Sequence, residues 1–187
     1  MKLAERHGDL TRQLILDAAV AMLERAGVTD LTVRAVAKHA GISERTVFRY
    51  FADREAFLDA VAQAVRERMA LPDAPRTLEE LLGMPRALYT RFEATKDLTV
   101  ASLHSELTPR MRGTLARARW KAVQQILREM APRSGERPRM IAAANIRFYL
   151  AASTWHYYRF YFGFSLDDTI ACAETAIRQA LSGLTAR

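Results

Sequence analysis

Cysteine is almost absent: Cys172 is the single one in 187 residues. One thiol closes no internal disulfide and builds no multi-cysteine metal site. Glycine and proline number only 8 and 6, so breaks between elements are few. No apolar run reaches the roughly 18 residues that a membrane-spanning helix needs. The N-terminal stretch MKLAERHGDLTRQ is charged where a signal peptide carries its apolar core. A soluble cytoplasmic protein with no membrane partner is expected. His7, His39, His104 and His156 are too scattered for a metal motif. There is no Gly-rich phosphate loop, G-x-S-x-G elbow or paired-carboxylate arrangement. No metal, no cofactor and no enzymatic activity are expected.

What is present is ordinary for a globular chain, with 50% hydrophobic and 26% charged residues, and room for one small domain joined to a larger one. The net charge is +7 and the pI near 10.0, which points to an acidic partner, nucleic acid first. Residues 1–70, however, hold 11 basic against 10 acidic residues, and the excess lies in 71–187. If the first part binds DNA, it does so through a few placed cations and not through bulk charge.

Apolar spacing is helical nearly throughout. Ile15, Ala18, Ala19, Met22 and Leu23 fall on one face of a helix, with Thr11 as its cap and Gly27 as its stop. Thr32 caps a short helix Val33–His39 that Gly41 ends. Ser43 caps 44–51, and Asp53 caps a helix whose apolar side is Phe57, Leu58, Val61 and Val65. After the loop 71–75, Thr77-Leu78-Glu79-Glu80 has the capping-box pattern, with a kink or break expected at Pro85. A short helix near 97–106 follows, then Thr108-Pro109 opens a helix to about Met130. The stretch 131–138 reads as a loop. Helices over 138–162 and 166–183 complete the chain, the last capped by Ser165. The fold class is all-α, with about nine helices. Two segments, 46–51 and 157–164, carry β-branched or aromatic residues that favour strands, but neither alternates, and both are read as helix.

The segment from Thr32 to Phe51 is the informative one. A helix of about eight residues, a Gly-containing turn and a second short helix form the helix-turn-helix pattern. Gly41 supplies the positive φ of the turn. Val36, Ala37, Ile42 and Val47 are expected to make its small apolar centre. The run Leu31 to Phe51 (LTVRAVAKHAGISERTVFRYF), followed by Asp53-Arg54-Glu55-Ala56-Phe57-Leu58 and preceded by Ile15-Leu16-Asp17-Ala18-Ala19 and Gly27, resembles the N-terminal domain of the TetR family of bacterial transcriptional regulators. The likeness covers roughly residues 10–60. Beyond them it is one of length and helical pattern.

The resemblance implies a homodimeric repressor that binds a double-stranded DNA operator and is released by a small effector. One short reading helix per chain calls for two copies on a pseudo-palindrome, and the aromatic-rich, sparsely charged candidate residues suit a moderately apolar effector. It implies a DNA-binding domain over 1–52, a linking helix over 53–69 and a ligand-binding and dimerisation domain over 70–187, with the dimer formed by the last two helices. Thr32 and Thr46 match positions that touch the DNA backbone, and Arg34 one that reaches a base or phosphate. Ser43, Glu44, Arg45 and Arg49 lie on or at the start of the reading helix. Tyr50 and Arg54 match phosphate-contacting positions. The chain also departs from the family pattern. Phe48 stands where Tyr is frequent and offers an apolar contact to a thymine methyl. Glu44 repels phosphate, and Ala35 lacks the acid of a capping box.

Aromatic residues surround the segment Thr154–Phe162 on every side, so it must be buried on more than one. One stripe is expected to line the effector pocket and the other the dimer seam, with their assignment open. Tyr89, Phe92, Trp120, Val123, Asn145, Phe148, Trp155 and His156 are the ligand-site candidates, with plain core packing the competing role for each. Cations at Arg110, Arg112, Arg117, Arg119 and Lys121 suggest an acidic ligand, but they run around their helix and read as a solvated surface. Two competing classes remain: a helical small-molecule carrier or interaction protein with a purely structural helix pair, and a DNA-binding regulator with no effector.

Overall fold

The computed structural model describes residues 3–26 and 31–185, apart from the side chains of 3–8, 26 and 112–115. Among the described residues there are ten α-helices, one π-helical turn and no strand. The chain groups into two compact units. The first holds residues 1–70 and 95–111, the second 71–94 and 112–187.

In the first unit, α1 (Leu3–Ala26), α2 (Val33–His39), α3 (Glu44–Tyr50) and α4 (Arg54–Met69) are joined by α6 (Lys96–Leu103). α6 packs against α1 and α4. Side-chain caps start three of these helices. Thr32 accepts from the Ala35 amide at 3.1 Å, Ser43 from Thr46 at 3.1 Å and Asp53 from Ala56 at 2.7 Å. Each cap satisfies an amide that the helix leaves unpaired and contributes about 1 kcal/mol. The core is Ile15, Ala19, Leu23, Leu31, Val36, Val47, Phe57, Leu58 and Val61, all essentially without solvent exposure. Phe51 and Phe57 meet edge to face at 5.5 Å.

Two expectations change here. α1 begins at Leu3, so Thr11 sits within the helix instead of capping it. Ile42 is half-buried, and the apolar centre of the turn rests on Val36, Ala37 and Val47. The stop expected at Gly27 lies outside the described residues.

The second unit contains α5 (Leu78–Ala94), α7 (Leu107–Met130) from residue 112 onward, α8 (Glu136–Tyr149), α9 (Ala152–His156), a π-helical turn (Tyr157–Tyr161) and α10 (Leu166–Thr185). The capping box at α5 is reciprocal: Glu80 N–H donates to Thr77 Oγ1 at 3.1 Å, while its carboxylate accepts from the Arg76 amide at 2.6 Å. α5 runs unbroken through the buried Pro85. α10 packs on α8 and α5, and Ser165 caps it by accepting from the Asp168 amide at 3.1 Å.

The single helix expected over 138–162 is three pieces. α8 starts two residues earlier, inside the stretch read as loop, and stops at Tyr149. Ala151 is then extended, with φ −89° and ψ 146°. Thr154 Oγ1 donates to the Phe148 carbonyl at 2.6 Å and so satisfies one group that the interruption frees. In the segment of strand propensity, the Phe162 amide bonds to the Tyr157 carbonyl at 3.2 Å, a π-helical step, and Gly163 closes it at φ 70°.

That interruption places Trp155, which has no solvent exposure, against Phe92 at a ring distance of 5.8 Å. Glu93 accepts from Trp155 Nε1 at 3.2 Å and from Arg159 Nε and Nη2 at 2.9 and 2.7 Å. The carboxylate holds the Arg159 guanidinium above its ordinary pKa. Glu93→Ala takes this acceptor from the buried Trp155 Nε1 and from Arg159 Nε and Nη2, while Arg159 Nη1 keeps the Phe164 carbonyl, and is expected to cost about 2 kcal/mol, read as a lower urea midpoint at unchanged slope.

Candidate nucleic-acid interface

Three backbone hydrogen bonds fix the corner between α2 and α3. Ala40 N–H bonds to Val36 O at 2.8 Å, Gly41 N–H to Lys38 O at 3.2 Å, and Ile42 N–H to Ala37 O at 3.0 Å. Gly41 takes φ 69°, a left-handed conformation that a residue with a Cβ adopts only at a cost. Val47 is the buried anchor of α3. Glu44, Arg45, Phe48 and Arg49 of that short helix turn outward, and Thr46 and Tyr50 are half-buried.

Glu44, Arg45 and Arg49 are exposed, as is Arg34 on α2. Phe48 is 45% exposed and so stands on the outer face instead of in the core. Thr32 and Ser43 are exposed too, but their hydroxyls already serve as caps. Ser43 Oγ and Thr46 Oγ1 are also 2.9 Å apart. The Arg49 guanidinium lies over the Tyr50 ring at 5.2 Å and donates to its hydroxyl at 3.3 Å. Hydrogen bonds with Thr11 and Arg49 pull the Tyr50 phenol below its ordinary pKa. Tyr50 thereby ties α3 to α1, a role for Thr11 that its reading as a cap missed.

Arg54 is not a free cation. Its Nη2 pairs with Glu106 Oε1 at 2.5 Å, and Nη1 lies 3.8 Å from Glu55. Glu55 is shared with Arg110, which also binds Asp59 at 2.6 Å. The side chain of Arg54 remains 48% exposed, which leaves donors available to a phosphate. Glu106 is 52 residues away in sequence, and no local pattern signals the pairing.

The ligand-site candidates do not converge on one space. Tyr89, Phe92 and Trp155 are buried against one another in a chain of ring contacts, Tyr89 to Phe92 at 6.1 Å. The Tyr89 hydroxyl donates to the Tyr149 carbonyl at 2.5 Å, and burial raises its pKa. Val123 is buried, Trp120 and His156 are half-buried, and Asn145 and Phe148 are exposed on α8. An open cleft of about 580 Å³ is lined by other residues, Tyr149, Tyr158 and Phe164 with Asp168 and Cys172 among them.

Residues 15–61, the stretch that builds this helix pair and its support, match the model of the bacterial regulatory proteins of the tetR family. That stretch is a TetR-family domain. A relative, the HTH-type transcriptional regulator BetI of Burkholderia thailandensis, is 32% identical over 77 residues, 36% of this chain and 40% of that protein. The class D tetracycline repressor protein of Escherichia coli is 32% identical over 76 residues, 39% of this chain and 35% of that protein. The chain thus matches well under half the length of these relatives. The TetR fold extends further. FadR of Bacillus subtilis, solved in complex with stearoyl-CoA, superposes with a TM-score of 0.60 at 17% identity, covering 91% of this chain and 98% of that one. NalD of Pseudomonas aeruginosa superposes at 0.56 and 19% identity, covering 95% and 97%.

Proposed function

We propose that this chain is a cytoplasmic, homodimeric transcriptional regulator whose α3 reads a DNA operator and whose second unit binds a small effector that releases it. The observation that carries the reading is the capped α2–α3 pair presenting Arg34, Arg45, Phe48 and Arg49 outward from a rigid support. Such a pair reads a few base pairs, so useful specificity requires two copies on a pseudo-palindrome. In support of a dimer through α8 and α10, α8 exposes Met140, Ile141 and Phe148, apolar surface of the kind a second copy covers. FadR holds an acyl-CoA and the relatives include a tetracycline repressor, which favours the effector reading over a bare dimeriser. An effector acts only if it binds the DNA-released state better, because equal affinity for both states shifts nothing.

A mobility-shift titration with the DNA flanking the chain's own gene tests the reading. Binding at nanomolar protein, with a dimer by sedimentation, is the expected result. A monomer with full affinity, or no preference over unrelated DNA, overturns it. Within the same assay, Glu106→Gln is expected to strengthen DNA binding about threefold to tenfold. It removes one negative charge beside the DNA-facing Arg54 and frees that cation for phosphate.

A further inference from the structure

Arg119 on α7 is 6% exposed, which departs from the solvated surface its spacing suggests. Of its neighbours, Arg117 and Lys121 are exposed as expected, and Arg110 is ion-paired. Arg119 Nη2 donates to the Pro72 carbonyl at 2.5 Å, but its buried Nε meets no acceptor among the described residues. Arg147 on α8 presents a second buried nitrogen, Nη1, that also meets none. Both groups belong to the second unit. Burial pushes both guanidiniums below their ordinary pKa, Arg119 to about 10, where the charge of Arg147 adds to the push and Asp73 opposes it. At neutral pH Arg119 still carries its charge.

A buried guanidinium that no carboxylate hydrogen-bonds is poorly placed for stability alone, since an apolar side chain of similar size would pack without the desolvation cost. Arg119, buried, and Arg147, half-buried but with Nη1 enclosed, each keep an unused donor, and the charge of one is felt at the other; an anion completes such a place. We propose that Arg119 and Arg147 form the anion-holding end of the effector site, taking the carboxylate of an organic acid, with Arg119 Nε and Arg147 Nη1 donating to its oxygens. A carboxylate fits better than a phosphate. Two cations and one neighbouring acid, Asp73, leave a single positive charge in excess, and two free donors match two oxygens. The proposal rests on the reading of the second unit as effector-binding.

The test is calorimetry and thermal melting on the full chain with sodium octanoate and sodium benzoate, against octanamide, benzamide and inorganic phosphate. At least one acid is expected to raise the melting temperature and bind once per chain. Its amide and phosphate should bind at least tenfold more weakly, because each charge-assisted hydrogen bond is worth about a factor of ten or more. Arg119→Gln and Arg147→Gln should each weaken acid binding at least tenfold, and without acid should melt no lower than the parent. Arg117→Gln, exposed on the same helix, should bind as the parent does. The proposal is overturned if neither acid binds, if acid and amide bind alike, if phosphate binds more tightly, or if both variants retain parental acid affinity. Acid binding that needs both arginines but leaves operator affinity unchanged keeps the site and removes the effector reading. Release from DNA by a neutral compound, with no acid binding, does the reverse.

Discussion

Trp155→Ala is expected to lower the stability of the second unit by about 4 kcal/mol, the upper part of the range for deleting a buried aromatic. The ring has no solvent exposure and touches Phe92 and Phe160, at 5.8 and 5.6 Å between centroids. Its removal opens a cavity between α5 and the π-helical turn, where neighbouring rings cannot close in without breaking their own packing. The substitution also removes one of the donors to Glu93, while Arg159 keeps its ion pair with the carboxylate. Trp155→Phe should recover most of the packing and forgo only the indole hydrogen bond, about 1 kcal/mol. Chemical denaturation followed by circular dichroism measures both. If Trp155→Ala cost less than about 1 kcal/mol, the interrupted helix would not be held in place by this side chain.

The same interruption shows where sequence stops being informative. Helix starts set by a cap three residues from its amide were legible: Thr32, Ser43, Asp53, Thr77 with Glu80, and Ser165 all perform the role their spacing suggested. Thr11 had the same local signature, yet its helix was already running, and its hydroxyl meets Tyr50 instead. The break at Leu150–Ala151 has no glycine or proline to announce it. It accompanies the burial of Trp155, a tertiary effect. Likewise the apolar stripe containing Tyr89, Phe92 and Trp155 correctly signalled burial, but periodicity does not say whether a buried face meets a ligand or another ring. Arg119 is the converse case. On the helix it is one cation among several, and only Pro72, 47 residues earlier, marks it as buried.

Within α3 and α4, base reading and backbone anchoring are expected to separate cleanly on mutation. Arg49→Ala should cost about 1–3 kcal/mol on the operator and relax preference at one base position per half-site, because a guanidinium fork pairs with guanine O6 and N7. Tyr50 already holds that fork beneath its charge and through a hydrogen bond at 3.3 Å. The arginine is therefore held in a restricted set of rotamers, and Tyr50→Phe is expected to weaken part of the same preference. Arg54→Ala should instead weaken specific and non-specific binding alike, and flatten the salt dependence by about one unit for each phosphate it no longer neutralises. Its pairing with Glu106 limits that effect, so the consequence of Arg54→Ala should grow in a Glu106→Gln background, which a double-mutant cycle measures directly. With residues 1–70 nearly neutral overall, there is no surplus of cations to compensate for either change. Should Arg54→Ala alter base preference while Arg49→Ala changes only the salt slope, the two roles are assigned the wrong way round.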